Sequence, residues 1–227
     1  MNMGTIAYYI CCVLAFAPAI VLHEVSHGFA AYKLGDPTAK SQGRLTLNPL
    51  AHIDWFGTVI LPLVLLAIGG PIFGYAKPVP YNSTYFKDRR KGDFIVGMAG
   101  PAANLVMALA GAAIAWLLWP VASSLTYASV VFAYFYALFL PLFVLINLFL
   151  MFFNLLPVPP LDGSSIFALL VPERKLATYY KVEHYAMPVL LVLLFVVPYI
   201  CNVNPISIYL NVTATNLANF IMPFTIY

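Results

Sequence analysis

Long runs of apolar residues are the feature that most limits how this chain can fold. About 20 consecutive apolar residues are enough to cross the hydrocarbon core of a bilayer as a helix. Runs of this kind, the last of them more polar, occur at about 6–32, 94–119, 129–152, 184–200 and 205–224. Only 8% of the 227 residues are charged, against roughly 25% in a soluble domain. The sequence therefore predicts an all-α, multi-pass integral membrane protein with about five transmembrane helices.

A shorter apolar run at 57–70 decides the predicted topology. It contains Pro62 and is too short to span comfortably. If it enters and leaves the bilayer on one side, all 11 Lys and Arg residues lie on that side, which the positive-inside rule makes cytoplasmic. If it spanned, the densest basic cluster, at 77–91, would be external. We therefore expect a re-entrant element, an external N-terminus and a location in a prokaryotic plasma membrane.

Residues 43–48 alternate polar and apolar side chains, and Pro49 follows them. This pattern predicts a short membrane-associated strand or hairpin. An open strand edge at membrane depth is tolerated only where protein or a water-filled cavity covers it. Such an edge could bind an unwound peptide as an additional strand.

The first apolar run contains the pattern HEVSH at residues 23–27, although ionisable side chains are costly at membrane depth. His23 and His27 are four residues apart, so they share one helical face and can bind one zinc ion. Glu24 would then lie beside a zinc-bound water and could accept its proton during attack on a carbonyl. The alternative is that the two histidines make packing hydrogen bonds and that Glu24 is protonated.

A catalytic zinc ion needs a third protein ligand and one open position. Asp162 is the candidate, because it follows an apolar run within NLLPVPPLDGSS at 154–165, whereas most other acidic residues lie in charged loops. Pro157, Pro159 and Pro160 prevent regular helix in this segment. The alternative is that Asp162 caps a short helix that follows it.

The motifs HEVSHG, GPAAN at 100–104 and NLLPVPPLDG at 154–163 occur in an order and context that resemble the site-2 protease family of intramembrane zinc metalloproteases. The resemblance covers about 23–170 and is similar to the short form of the family, without PDZ or CBS domains. It implies one membrane-embedded metalloprotease domain over 1–227, with a catalytic core at about 6–170 and C-terminal helices at about 184–224.

The resemblance implies one zinc ion per chain, bound by His23, His27 and Asp162, with Glu24 as catalytic base. It also implies cleavage of peptide bonds in or near transmembrane segments of membrane-protein or peptide substrates. The lipid bilayer is the expected surrounding. No nucleic-acid partner is expected, because the net charge is only +3 and no basic run resembles a nucleic-acid footprint. The sequence makes no prediction of oligomeric state.

Three further residues are candidates for contact with a substrate or an oxyanion. The resemblance suggests such roles for Asn154 and Asn104, whose amides can bind a peptide backbone or an oxyanion without carrying charge. Asn154 could instead satisfy backbone groups freed by the prolines, and Asn104 could join two helices. His52, near Asp54, could bind substrate or gate access, or lie in an interfacial loop. His184 opens a predicted helix and is expected at the interface.

Two other functions would use the same residues. A membrane metal carrier or sensor could bind zinc without hydrolysis, but a transport site has no need of a base such as Glu24 beside the first ligand. A non-catalytic scaffold of the same fold is also conceivable, but it has no need to keep three ligands and a base together. The sequence therefore favours the peptidase.

Overall fold

The computed structural model describes residues 2–61, 63–64, 74–172, 174–175, 178–179, 181 and 185–226. All regular secondary structure within these residues is helical, as the apolar runs predict. Half of the run 57–70, for which we predict a re-entrant element, lies outside the described residues, and so does His184. The beginning of that run belongs to a π-helical turn at Trp55–Ile60.

In chain order the helices are α1 (Met3–Lys33), α2 (Thr38–Ser41), α3 (Arg89–Ala128), α4 (Val130–Asn154, with a π-helical turn at Phe135–Phe139), α5 (Ser165–Leu170), α6 (Ala186–Leu191, Val192–Val196 and Val197–Cys201) and α7 (Pro205–Leu210, Asn211–Thr215 and Asn216–Ile221). Short 3₁₀ turns lie at Pro49–His52, Ser83–Tyr85 and Asp162–Ser164.

Helices α1, α3 and α4 are long and apolar enough to cross a membrane, and they coincide with the first three predicted spans. The 40 residues of α3 extend about 60 Å, roughly twice the thickness of the hydrocarbon core. Helices α6 and α7 occupy the positions of the other two predicted spans but are short for a complete crossing. The structure supports three spans among the described residues and does not confirm the predicted count of about five.

The predicted strand at 43–48 is not formed. Residues 44–48 have no regular secondary structure, and Pro49 begins a 3₁₀ turn instead. The alternating pattern did not produce a strand, because a strand also needs a partner strand, and none occurs among the described residues.

The end of α1 is fixed by a glycine and a buried carboxylate. Gly35 has a φ of 103° and completes a Schellman motif, in which Asp36 N donates to Ala31 O at 3.0 Å and Gly35 N donates to Tyr32 O at 3.1 Å. The buried Asp36 carboxylate accepts hydrogen bonds from the Thr38 and Asn82 backbone amides, at 2.9 and 2.6 Å. It thereby ties the end of α1 to the segment that precedes α3.

The chain divides into two compact units, the first comprising Met1–Ala19, Pro101–Leu155 and Pro205–Tyr227, and the second Ile20–Gly100 and Leu156–Asn204. In the first unit, small residues of α3 and α7, such as Ala108 and Ala218, pack with large residues of α4, such as Leu148. Small residues let helices approach closely, which favours packing between helices within a membrane. The prediction of a single domain over 1–227 remains a prediction.

Candidate metal centre

The HEVSH residues lie in the part of α1 that belongs to the second unit. His23 and His27 are both buried, and their Nε2 atoms lie 3.1 Å apart. The spacing of four residues places the two rings on one face of the helix, as predicted.

Asp162 meets both histidines from the 3₁₀ turn that follows the proline-rich segment. Its Oδ2 atom lies 3.1 Å from His23 Nε2 and 3.4 Å from His27 Nε2. These three atoms all lie within 4.8 Å of one another. No side chain caps the 3₁₀ turn or α5, so the alternative of Asp162 as a helix cap is not what the structure contains.

The three atoms suit a metal ion better than an internal hydrogen-bond network. His27 Nδ1 lies 2.7 Å from Val96 O, and because a carbonyl only accepts, Nδ1 carries a proton; in the neutral imidazole this leaves the lone pair on Nε2 for a metal ion. The buried Asp162 Oδ2 is close to both rings but receives no hydrogen bond of good geometry from the described residues. Tetrahedral zinc with ligands at about 2.1 Å separates them by about 3.4 Å, so the residues present fit Zn²⁺.

The electrostatics of Asp162 agree with this interpretation. Burial by itself raises the pKa of the Asp162 carboxyl, but the adjacent His27 and His23 hold that pKa well below its ordinary range. A lowered pKa favours the ionised carboxylate, which is the form that binds a metal ion.

Two glycines of α3 make room for the cluster. A Cβ atom on Gly100 would collide with His27 Nε2 and lie 2.6 Å from His23 Cε1, and one on Gly97 would collide with Ser165 and lie 3.1 Å from Asp162 O. Positions three residues apart share a helical face, so the pair forms a bare strip against the site. The sequence motif GPAAN included Gly100 without a role of its own, and Gly97 was not predicted; the GMAG spacing at 97–100 was the available signal.

Glu24 is adjacent to His23 in the sequence and is half-buried. Its Oε2 atom accepts a hydrogen bond of 3.0 Å from the backbone amide of Val79. This contact of residues 74–80 could not be predicted, because its donor is a backbone amide, which every residue except proline carries.

The other predicted candidates make structural contacts. The buried His52 bonds through Nε2 to Thr46 O at 2.9 Å, and no described hydrogen bond links it to the metal cluster. In the first unit, the Asn104 amide donates to Ala19 O at 3.2 Å and to Asn147 Oδ1 at 2.9 Å, which matches the alternative of helix–helix bonding. Asn154 donates to Leu150 O at 2.9 Å within its own helix. Substrate contacts by these residues remain predictions.

Comparison with known proteins gives consistent matches. Peptidase family M50 matches residues 11–197. YwhC of Bacillus subtilis is 40% identical over 186 residues, which cover 82% of this chain and 80% of YwhC. Rip2 of Mycolicibacterium smegmatis is 30% identical over 161 residues, covering 71% of this chain and 57% of Rip2. The names of both relatives describe them provisionally as zinc metalloproteases. No solved structure matches the chain significantly.

An all-helical membrane chain in which two buried histidines of the first long helix meet an aspartate from a distant turn defines a metallopeptidase of the intramembrane class. The chain belongs to peptidase family M50, the site-2 protease family, because the family match covers most of its length. It is therefore a membrane metalloprotease, and the family resemblance of its three motifs is confirmed.

Proposed function

We propose that His23, His27 and Asp162 hold one zinc ion per chain and that Glu24 is the catalytic base for hydrolysis of peptide bonds in or near transmembrane segments. The observation that carries the proposal is the convergence of two imidazole nitrogens and one carboxylate oxygen within 4.8 Å. Membership of family M50 supports peptide hydrolysis as the reaction, and the names of the relatives support zinc as the metal.

Zinc, when bound, lowers the pKa of a coordinated water toward about 7 and polarises the substrate carbonyl. Glu24 accepts the proton of the attacking water at Oε1, the carboxylate oxygen that does not bond to Val79. The protonated Glu24 then donates to the amide nitrogen as the C–N bond breaks, so that the leaving group departs as a neutral amine. His27 keeps the tautomer needed for a ligand, because its Nδ1–H donates to Val96 O.

A substrate must be locally unwound before it reaches this site. A carbonyl within a transmembrane helix is hydrogen-bonded and shielded by side chains, and once freed it must find another partner. We expect the non-helical residues 44–48 to supply such partners, because no described hydrogen bond engages the backbone groups of Leu45 and Leu47. Asn154, Asn104 and His52 remain candidates for further substrate contacts.

Zinc analysis of purified protein tests the ligand set. We expect about one zinc ion per chain in the wild type and loss of that ion in both His23→Ala and Asp162→Ala, since two ligands bind Zn²⁺ far more weakly than three. Asp88→Asn is the matched control, because Asp88 is an exposed carboxylate outside the cluster. Stoichiometric zinc in both ligand variants would contradict the assignment.

The topology proposal places the site toward the cytoplasm and the N-terminus outside. Basic residues occur at the end of α1, after it and at the start of α3, whereas residues 120–129, at the end of α3 and its junction with α4, include no Lys or Arg. Single cysteines introduced at the exposed positions Lys87 and Ser123 should react with a membrane-impermeant reagent from inside and outside, respectively. Labelling of position 87 from the outside of intact cells would refute this orientation.

A further inference from the structure

An extended segment at residues 74–80, to which no function has been given above, lies against α1 beside the proposed base. Val79 is buried, and Gly28, one turn after Glu24, leaves the space that Val79 occupies. A Cβ atom on Gly28 would lie 2.6 Å from Val79 Cγ1 and 2.7 Å from Leu45 Cδ2. The close approach brings the Val79 amide within 3.0 Å of Glu24 Oε2.

Arg44 binds the carbonyl end of the Pro78–Val79 peptide, whose N–H bonds to Glu24. The carbonyl of Pro78 and the N–H of Val79 belong to one planar trans peptide, so they point in opposite directions. Arg44 Nη2 donates to Pro78 O at 3.3 Å and to Lys77 O at 2.9 Å, and its Nη1 donates to Ala51 O. The peptide is thus held between a guanidinium cation at its oxygen and a carboxylate at its N–H.

We propose that Arg44 is a positioning residue for the catalytic base: its guanidinium fixes the Pro78–Val79 peptide, and the Val79 amide of that peptide fixes the carboxylate of Glu24. The inference rests on the proposed role of Glu24 and adds the device that orients it. No ion pair joins Arg44 and Glu24 among the described residues, so Arg44 acts through the peptide and not by direct contact.

The chemistry of the segment suits this role. Pro78 and Pro80 have no N–H and restrict the backbone on both sides, so Val79 supplies the one amide donor of 78–80. A hydrogen bond to a carboxylate is roughly twice as strong as one between neutral groups. The opposite charges at the two ends polarise the peptide in the same sense, which strengthens both bonds. With Oε2 held in this way, the other oxygen of Glu24 keeps a fixed direction.

Arginine is specifically suited to the task. Its planar fork presents several donors in fixed directions, and here it bonds to carbonyls from two separate segments, at Ala51 and at Lys77 and Pro78. A lysine ammonium carries the same charge on a flexible stem and cannot hold both segments in one geometry. Arg44→Lys should therefore restore only part of the activity that Arg44→Gln loses.

A double-substitution experiment on the full-length protein in liposomes tests the proposal. One change is Arg44→Gln, and the other replaces Val79 by its α-hydroxy acid, which removes the N–H and keeps the side chain. We expect each to lower kcat for a membrane-embedded reporter helix about tenfold, the effect of one charged hydrogen bond, with KM and zinc content within about twofold of wild type. Because both act through one peptide, the combination should lower kcat no further than either alone.

Hydrogen exchange provides a readout that is independent of activity. The peptide covering 74–81 should exchange faster in Arg44→Gln than in wild type, and the matched control Arg174→Gln, at an exposed arginine, should change neither exchange nor kcat. The positioning role would be overturned by any of three results. These are a kcat of the double variant that falls by the product of the two single effects, loss of zinc in both single variants, and wild-type kcat in Arg44→Gln. Wild-type cleavage by zinc-loaded Glu24→Gln would overturn the proposed base itself, so the two failures are distinguishable.

Discussion

Glu24→Gln is expected to lower peptide cleavage by at least the roughly 10² to 10⁴ that a positioned acid–base group contributes, while zinc remains bound. The amide retains the size of the carboxylate, and its oxygen can still accept the hydrogen bond of the Val79 amide. It cannot take a proton from water at neutral pH. Zinc should remain because His23, His27 and Asp162, and not Glu24, form the cluster.

The assay for this substitution is cleavage of a membrane-embedded reporter helix, with zinc measured on the same sample. Asp88→Asn makes the same change from carboxylate to amide at an exposed position and should cleave like wild type. A purely structural role for Glu24 predicts reduced stability without selective loss of hydrolysis. Chelator-sensitive cleavage at the wild-type rate by zinc-loaded Glu24→Gln would exclude Glu24 as the base.

Gly100→Ala is expected to lose most of its zinc and its cleavage activity, although it adds a single methyl group. The new Cβ atom would collide with His27 Nε2 and lie 2.6 Å from His23 Cε1. Position 100 is inside α3, so its backbone cannot move away without disturbing the helix. Overpacking costs about 1–3 kcal/mol, which corresponds to a zinc affinity about 5- to 150-fold weaker if that cost falls on the displaced histidines.

Equilibrium zinc titration of detergent-purified Gly100→Ala measures this effect. Gly4→Ala is the matched control, because a Cβ atom there would meet its nearest neighbour at 3.6 Å, an ordinary contact. The control should bind zinc like wild type. Wild-type zinc affinity in Gly100→Ala would show that α3 does not confine the two imidazoles.

Local patterns in the sequence predicted the part of the site that lies within a single helix. The apolar run at 6–32 predicted α1, and the spacing of His23 and His27 within it predicted a shared face. The position of Asp162 could not be predicted from a local pattern, because its contact with the histidines depends on a turn about 135 residues further along the chain. Proline and glycine around Asp162 indicated a break in the helix, and in the structure Asp162 Oδ2 lies 3.1 Å from His23 Nε2 and 3.4 Å from His27 Nε2.

Contacts made by backbone groups could not be predicted from the sequence. The bond between Val79 N and Glu24 uses no Val79 side-chain atom, and the carbonyls bound by Arg44 belong to residues of any type. The strand predicted at 43–48 failed for a related reason. Alternation along one segment describes its own two faces, but a strand exists only if a second segment supplies hydrogen-bond partners.

If zinc at the His23–His27–Asp162 cluster supports cleavage within the membrane, activity must follow zinc occupancy. Protein freed of metal by a chelator would be placed in liposomes with a reporter helix and titrated with Zn²⁺. We expect no cleavage without metal, activity that rises with occupancy and levels off near one zinc per chain, and no recovery in His23→Ala. Cleavage by the metal-free protein, or full recovery in His23→Ala, would contradict it.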